Sequence, residues 1–188
     1  MIKCFENQSK YLIFVKVNFI FMEIDLKKYR ENARIHNLCS EYSEIWDRCK
    51  SDKQIMDMGL GSKGLDYICD TIAKGWGISP DILCGRFARF INGRYIASLN
   101  GYNSKLYCHY NGEIEADTTI MGIIESDVTI NVSSFKICDV YVTGRCHINV
   151  KGEGSMILVC YGNPEDITVS GTCGNLKRIN KKERDRYE

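Results

Sequence analysis

The chain has 188 residues, of which 44% are hydrophobic and 26% charged, and its formal net charge is +1. That is an ordinary globular composition, enough for one large domain or two small ones. Ten scattered cysteines with no CxxC pair argue against a disulfide framework and read as reduced core residues of an intracellular protein.

Residues Tyr11 to Met22 (YLIFVKVNFIFM) form an apolar run broken by Lys16 and Asn18. The run is too short and too interrupted to span a bilayer. Met22-Glu23-Ile24-Asp25 offers no small-residue cleavage site. Residues 1–21 are therefore either an appended strand or, the favoured reading, a leader ahead of Met22, and no function is placed on them.

From Asp25 to about Cys49 the apolar positions are Leu26, Tyr29, Ala33, Leu38, Tyr42, Ile45, Trp46 and Cys49. Spacings of three and four predict one long amphipathic helix. Ser51-Asp52-Lys53-Gln54 has the form of a capping box, opening a short helix that Gly59 and Gly61 end. Ser62 starts another helix, with Leu65, Ile68, Cys69 and Ile72 on its stripe. Ser79-Pro80-Asp81 starts a further one, carrying Ile82, Leu83, Phe87, Phe90 and Ile91 and stopping at Asn92-Gly93. Two helices across the Gly75–Ile78 turn invite a helix-turn-helix reading over 65–92, with Arg86, Arg89 and Arg94 as nucleic-acid contacts. Base-reading polar residues are scarce there, which favours a helical hairpin that caps the second half of the chain.

The second half alternates apolar and polar residues, the period of a strand with one buried face. Clean segments centre on Ile114, Ile130, Ile148 and Ile167, which stand 16, 18 and 19 residues apart, and Ile130, Ile148 and Ile167 are expected to stack in one internal column. Less regular strands lie between them, with corners at Asn111-Gly112, Ser126-Asp127, Cys138-Asp139, Thr143-Gly144 and Asn163-Pro164. Phe135, Ile137, Val140 and Val142 are expected to fill the third coil, and Met156, Leu158 and Cys160 the fourth. Asn175 to Ile179 reads as a closing strand. A strand recurring about every eighteen residues is what a stacking β-solenoid gives. The fold class is therefore α+β, an N-terminal helical region capping a short C-terminal β-solenoid of about four coils. The divisions are 22–94 helical, 95–180 solenoid and 181–188 a charged tail.

Chemistry is sparse. In the pairs Cys108-His109 and Cys146-His147, adjacent strand residues face opposite sides, so neither pair is expected to converge on an ion. No cofactor motif, phosphate loop or nucleophile elbow is present, so no catalytic, metal or cofactor site is assigned. An acyltransferase solenoid with His147 as base would want regular hexapeptides, which are missing. Residues 101–176 hold nine acidic and four basic side chains, and the segment from Lys177 holds six basic and three acidic. An acidic body disfavours nucleic acid and favours a basic protein partner. Glu113, Glu115, Asp117, Glu125 and Asp127 are the candidate partner-binding residues, beside polar ladders from Thr129, Asn131, His147, Asn149, Thr168 and Ser170.

The stretches CSEYSEIWDRCKSDKQIMDMG, GLDYICDTIAKGWGISP and FINGRYI, together with the solenoid after them, resemble proteins carried by phages, prophages and conjugative elements of gut-type anaerobic bacteria. The resemblance covers roughly residues 23–180 and transfers no catalytic residue. It implies a small mobile-element protein in the host cytoplasm, with no membrane and a host protein as partner. An inhibitor of a nucleic-acid-targeting defence system, of CRISPR type or another, is the sharpest expectation. A virion or structural solenoid that forms homo-oligomers, and a DNA-binding regulator, are the alternatives.

Overall fold

The computed structural model describes residues 26–36, 40–99 and 101–181. The Tyr11–Met22 run, Leu38 and the tail beyond 181 lie outside them.

Helix α1 covers 26–35 and α2 is Ser40–Arg48. The single long helix expected here is two segments lying side by side. Asp47 takes Arg34 at 2.7 Å and Arg30 at 3.1 Å. In a straight helix with about 1.5 Å rise per residue, positions 34 and 47 would be about 20 Å apart. No Gly or Pro interrupts 26–48, so the apolar periodicity runs through the fold-back without a visible break.

Ser51 caps α3 (Asp52–Gly59), its Oγ accepting the Gln54 N–H at 3.3 Å. The Gln54 Oε1 reaches back to the Lys50 N–H, one residue before the cap. Helix α4 is Ser62–Ala73, and Ser79 caps α5 (Pro80–Gly85). Helix α5 ends well short of the expected Asn92-Gly93. Gly85 is a poor helix interior residue, and Phe87 leaves helical geometry ahead of a 3-10 turn over Ala88–Phe90. Phe87, Phe90 and Ile91 are buried all the same.

Beyond the helices come ten strands: β1 (Ala97–Leu99), β2 (Tyr102–Cys108), β3 (Asn111–Glu115), β4 (Ile120–Ile124), β5 (Asp127–Val132), β6 (Ile137–Thr143), β7 (Cys146–Gly152), β8 (Ser155–Tyr161), β9 (Ile167–Thr172) and β10 (Asn175–Asn180). They form two walls, a six-stranded sheet in the order β1-β2-β4-β6-β8-β10 and a four-stranded sheet in the order β3-β5-β7-β9. Every pairing is parallel except β1 with β2. From β2 onward successive strands thus alternate between walls, which makes a β-solenoid of about four turns closed by β10.

The isoleucine ladder needs one correction. Ile114 pairs with Ile130, but Ile130 pairs with Val150, and Ile148 pairs with Val128 and Val169. Ile130, Ile148 and Ile167 are all inside, yet they do not share a column. Coil lengths on this wall run 16, 20 and 21 residues, because the corner at 133–136 adds length. A two-residue offset preserves strand parity, so the inward and outward assignments survive the wrong register.

The third coil also differs. The corner falls at 133–136, and Cys138-Asp139 lies within β6. Cys138, Val140 and Val142 point inward, whereas Phe135 and Ile137 stand exposed outside the core. Asn111-Gly112 belongs to β3, the preceding corner being His109-Tyr110. Met156, Leu158 and Cys160 are buried in the fourth coil as expected.

Two cores share the six-stranded wall. The solenoid interior holds Ile114, Met121, Ile123, Ile130, Val140, Ile148 and Leu158. On the outer side, α4 lies across β4, β6 and β8, and α5 against β2. There Leu65, Ile68 and Cys69 meet Ile120, Ile124, Tyr141, Val159 and Tyr161. The Tyr161 hydroxyl donates to Asp66 of α4, and the Ser104 hydroxyl to the Leu60 carbonyl. At the last residue of β7, Gly152 adopts φ +125°, and a Cβ there would sit 2.1 Å from the Val132 carbonyl oxygen of the coil before. Among the described residues, no helix is long and apolar enough to cross a membrane.

Candidate functional site

The open face of the four-stranded wall gathers three of the five acidic candidates. Its rows read Glu113–Thr129–Asn149–Ser170, Glu115–Asn131–Lys151–Thr172 and Asn111–Asp127–His147–Thr168. Neighbouring rungs bond: Asn131 Nδ2 donates to Glu115 Oε1 at 3.0 Å, and Ser170 Oγ to Asn149 Oδ1 at 3.4 Å. The face is a polar ladder with acids at the first two coils and Lys151 and His147 beyond.

Asp117 and Glu125 sit apart from this face, on corners, and both have partners. Lys105 Nζ lies 2.6 Å from Asp117, its side chain only 10% exposed. His109 Nε2 lies 2.7 Å from Glu125 Oε2.

Phe135 is the residue that pattern reading missed as a surface feature. It is fully exposed at the 133–136 corner with φ +65°, and Ile137 beside it is 70% exposed. Ser134 Oγ on the same corner donates to Glu153 Oε2 at 2.5 Å. Apolar type made both residues look like core. The available signal was parity, since Cys138, Val140 and Val142 fix the inward face of β6 and place Ile137 outside it.

The arginine cluster is largely occupied with structure. Arg86 grips Asp52 Oδ1 through Nε at 2.9 Å and Nη2 at 2.7 Å, both side chains 19% exposed. Arg89 reaches the same carboxylate at 3.7 Å and lies over the Phe90 ring, while Arg94 donates to the Ala88 carbonyl at 3.1 Å. Arg86→Ala removes a two-pronged charge-assisted bond and leaves Asp52 only the longer Arg89 contact, so it should cost about 1.5–3 kcal/mol in urea unfolding. Arg94→Ala should cost under about 0.5 kcal/mol. Equal costs would show that the Asp52 pairing holds nothing in place.

Six of the eight described cysteines are buried, and none is in a disulfide. Burial pushes the Cys138 thiol up to about 12 and Cys146 up to about 11, which makes these inert hydrophobes rather than nucleophiles. Cys146 points in and His147 out, as strand alternation requires. Cys108-His109 departs from that expectation. His109 has φ +49° and ends the alternation of β2, so its ring swings toward α5. Its Nδ1 stands 3.7 Å from Cys84 Sγ. The ligating atoms of Cys84, Cys108 and His109 all lie within 4.8 Å of one another.

No protein family, no curated protein and no solved structure matches the chain.

Proposed function

We propose that this is a non-enzymatic binding protein of a phage or mobile element, acting in the host cytoplasm to inhibit a nucleic-acid-targeting defence system. It docks on a host protein through the third-coil corner and the acidic end of the open wall. The observation that carries this reading is Phe135, a fully exposed aromatic held in left-handed backbone geometry next to exposed Ile137. A solvated corner has no need of such a residue, and an aromatic anchor on a partner does. Glu113, Glu115 and Asp127 supply negative charge to steer a basic groove, one that otherwise holds nucleic acid, onto that anchor.

The test uses purified nucleic-acid-binding effectors of such systems, immobilised, with the full chain as analyte. Capture should be displaced by the effector's own nucleic acid and should weaken as salt rises. Phe135→Ser with Ile137→Ser should weaken binding at least about thirtyfold, a loss of about 2 kcal/mol or more, with Tm unchanged. Reversing Glu113, Glu115 and Asp127 to Lys should abolish the salt-sensitive part. Capture that survives both changes, or that ignores nucleic acid, overturns the reading.

A further inference from the structure

Four non-glycine residues with positive φ occur among the described residues: Asn92, His109, Glu125 and Phe135. The last marks the exposed corner. The other three surround one spot, where α5 meets the end of β2 and the corner after β4. Strained backbone of this kind persists only where its surroundings hold it.

Three ligand-type side chains from separate elements converge there. Cys84 comes from the last turn of α5, Cys108 from the end of β2, and His109 from the corner next to it. Cys108 is held from both directions by Asn92, whose Oδ1 accepts the Cys108 N–H at 2.9 Å and whose Nδ2 donates to its carbonyl at 3.2 Å. His109 presents Nδ1 to the sulfur of Cys84 and Nε2 to Glu125. With Nε2–H donated to that carboxylate, the Nδ1 lone pair faces the two thiols. A carboxylate behind the distal nitrogen of a histidine is the usual second layer of a metal site.

One edge of this triangle has the size a metal site needs. For a tetrahedral ion with S at about 2.3 Å and N at about 2.0–2.1 Å, the S···N edge is about 3.6 Å. The Cys84 Sγ to His109 Nδ1 distance is 3.7 Å. Two thiolates and an imidazole select a zinc-type ion over magnesium or calcium. Cys108 is buried, while Cys84 and the His109–Glu125 pair reach the surface. Glu125, behind His109, also lines a hollow of about 300 Å³ together with Asn32, Trp76 and Pro80.

We propose that Cys84, Cys108 and His109 form a binding site for a zinc-type divalent cation, oriented by Glu125, that clips α5 to the first coil of the solenoid. The site is separate from the docking corner, and either can fail without the other.

The test is a Co²⁺ titration of the reduced, chelator-stripped full chain. One equivalent should bind per chain, giving thiolate-to-cobalt charge-transfer and d–d absorption that Zn²⁺ abolishes by displacement. Cys84→Ser and His109→Ala should each remove the charge-transfer spectrum or weaken uptake at least about 100-fold. Cys49→Ser should change nothing. Glu125→Gln should keep the spectrum and weaken affinity about 10- to 100-fold. Should the ligand variants fail to fold, the wild-type chain still decides, because Zn²⁺ must raise its Tm in a concentration-dependent way. A reduced wild-type chain with no charge-transfer band and no Zn²⁺-dependent Tm overturns the proposal. So does a spectrum that survives Cys84→Ser or His109→Ala, or a Cys84–Cys108 disulfide that forms on oxidation when the reduced chain takes up no cobalt.

Discussion

Replacing Ile148 by aspartate should remove about 3–5 kcal/mol of stability, whereas His147→Gln next to it should leave the unfolding midpoint nearly unchanged. Ile148 is 1% exposed, stacked between Val128 and Val169 inside the solenoid. Truncation to alanine alone should cost about 2–5 kcal/mol through lost burial and the cavity left behind. The carboxyl adds a group with no partner in an apolar column. That extra penalty has a sign that can be checked with pH. A buried carboxyl has its folded pKa raised, so between the unfolded value near about 4 and the folded one the native state binds more protons. Stability of Ile148→Asp should therefore fall as pH rises through that window, by up to about 1.4 kcal/mol per unit, and recover towards pH 4 relative to Ile148→Ala. The glutamine at 147 avoids placing a second acid opposite Asp127, its partner in the ladder. Two substitutions of equal cost, or a deficit flat in pH, would mean that Ile148 does not face the interior.

The second large effect lies at Gly152. Its φ of +125° belongs to a region that L side chains avoid, and an added Cβ would strike the Val132 carbonyl oxygen, a backbone atom with no rotamer to escape into. Gly152→Ala should combine about 1–3 kcal/mol of strain with a comparable overpacking cost. Gly122→Ala is the informative contrast. There the Cβ would meet the methyl ends of Leu106 and Leu65 at 2.6 and 3.0 Å, with no positive φ, and flexible side chains can shift. Denaturant midpoints for the pair should be well separated. A Gly152→Ala cost under about 1 kcal/mol would show that the coils do not approach so closely at the end of β7.

The solenoid was legible because alternation is a property of single strands. The clean segments, such as Val128 to Val132, belong to the wall with one solvated face. The less regular ones, such as Ile120-Met121-Gly122-Ile123-Ile124, belong to the wall buried on both faces by interior and helices. Register was not legible, since it depends on how many residues each corner absorbs, and Ser133 to Lys136 carry no pattern that states it. The fold-back between α1 and α2 was hidden for the same reason, there being no breaker in the chain to mark it. Of the candidate site, the acids at 113, 115 and 127 could be placed on one face by parity alone. The convergence of Cys84 with Cys108 and His109 could not, because it depends on one residue, His109, leaving strand geometry where an unbroken strand would have turned its ring away.

The helices come off the ribosome before any strand they rest on. The apolar side of α4 is closed by Ile120 and Ile124 of β4, then by Tyr141 of β6, then by Val159 and Tyr161 of β8, the last of these 95 positions after its partner Asp66. During synthesis that side waits uncovered while one coil after another is added beneath it. The half made first is thus the half that finishes last, and an elongating chain arrested after the second coil would present Leu65, Ile68 and Cys69 to whatever chaperone or neighbouring chain is at hand.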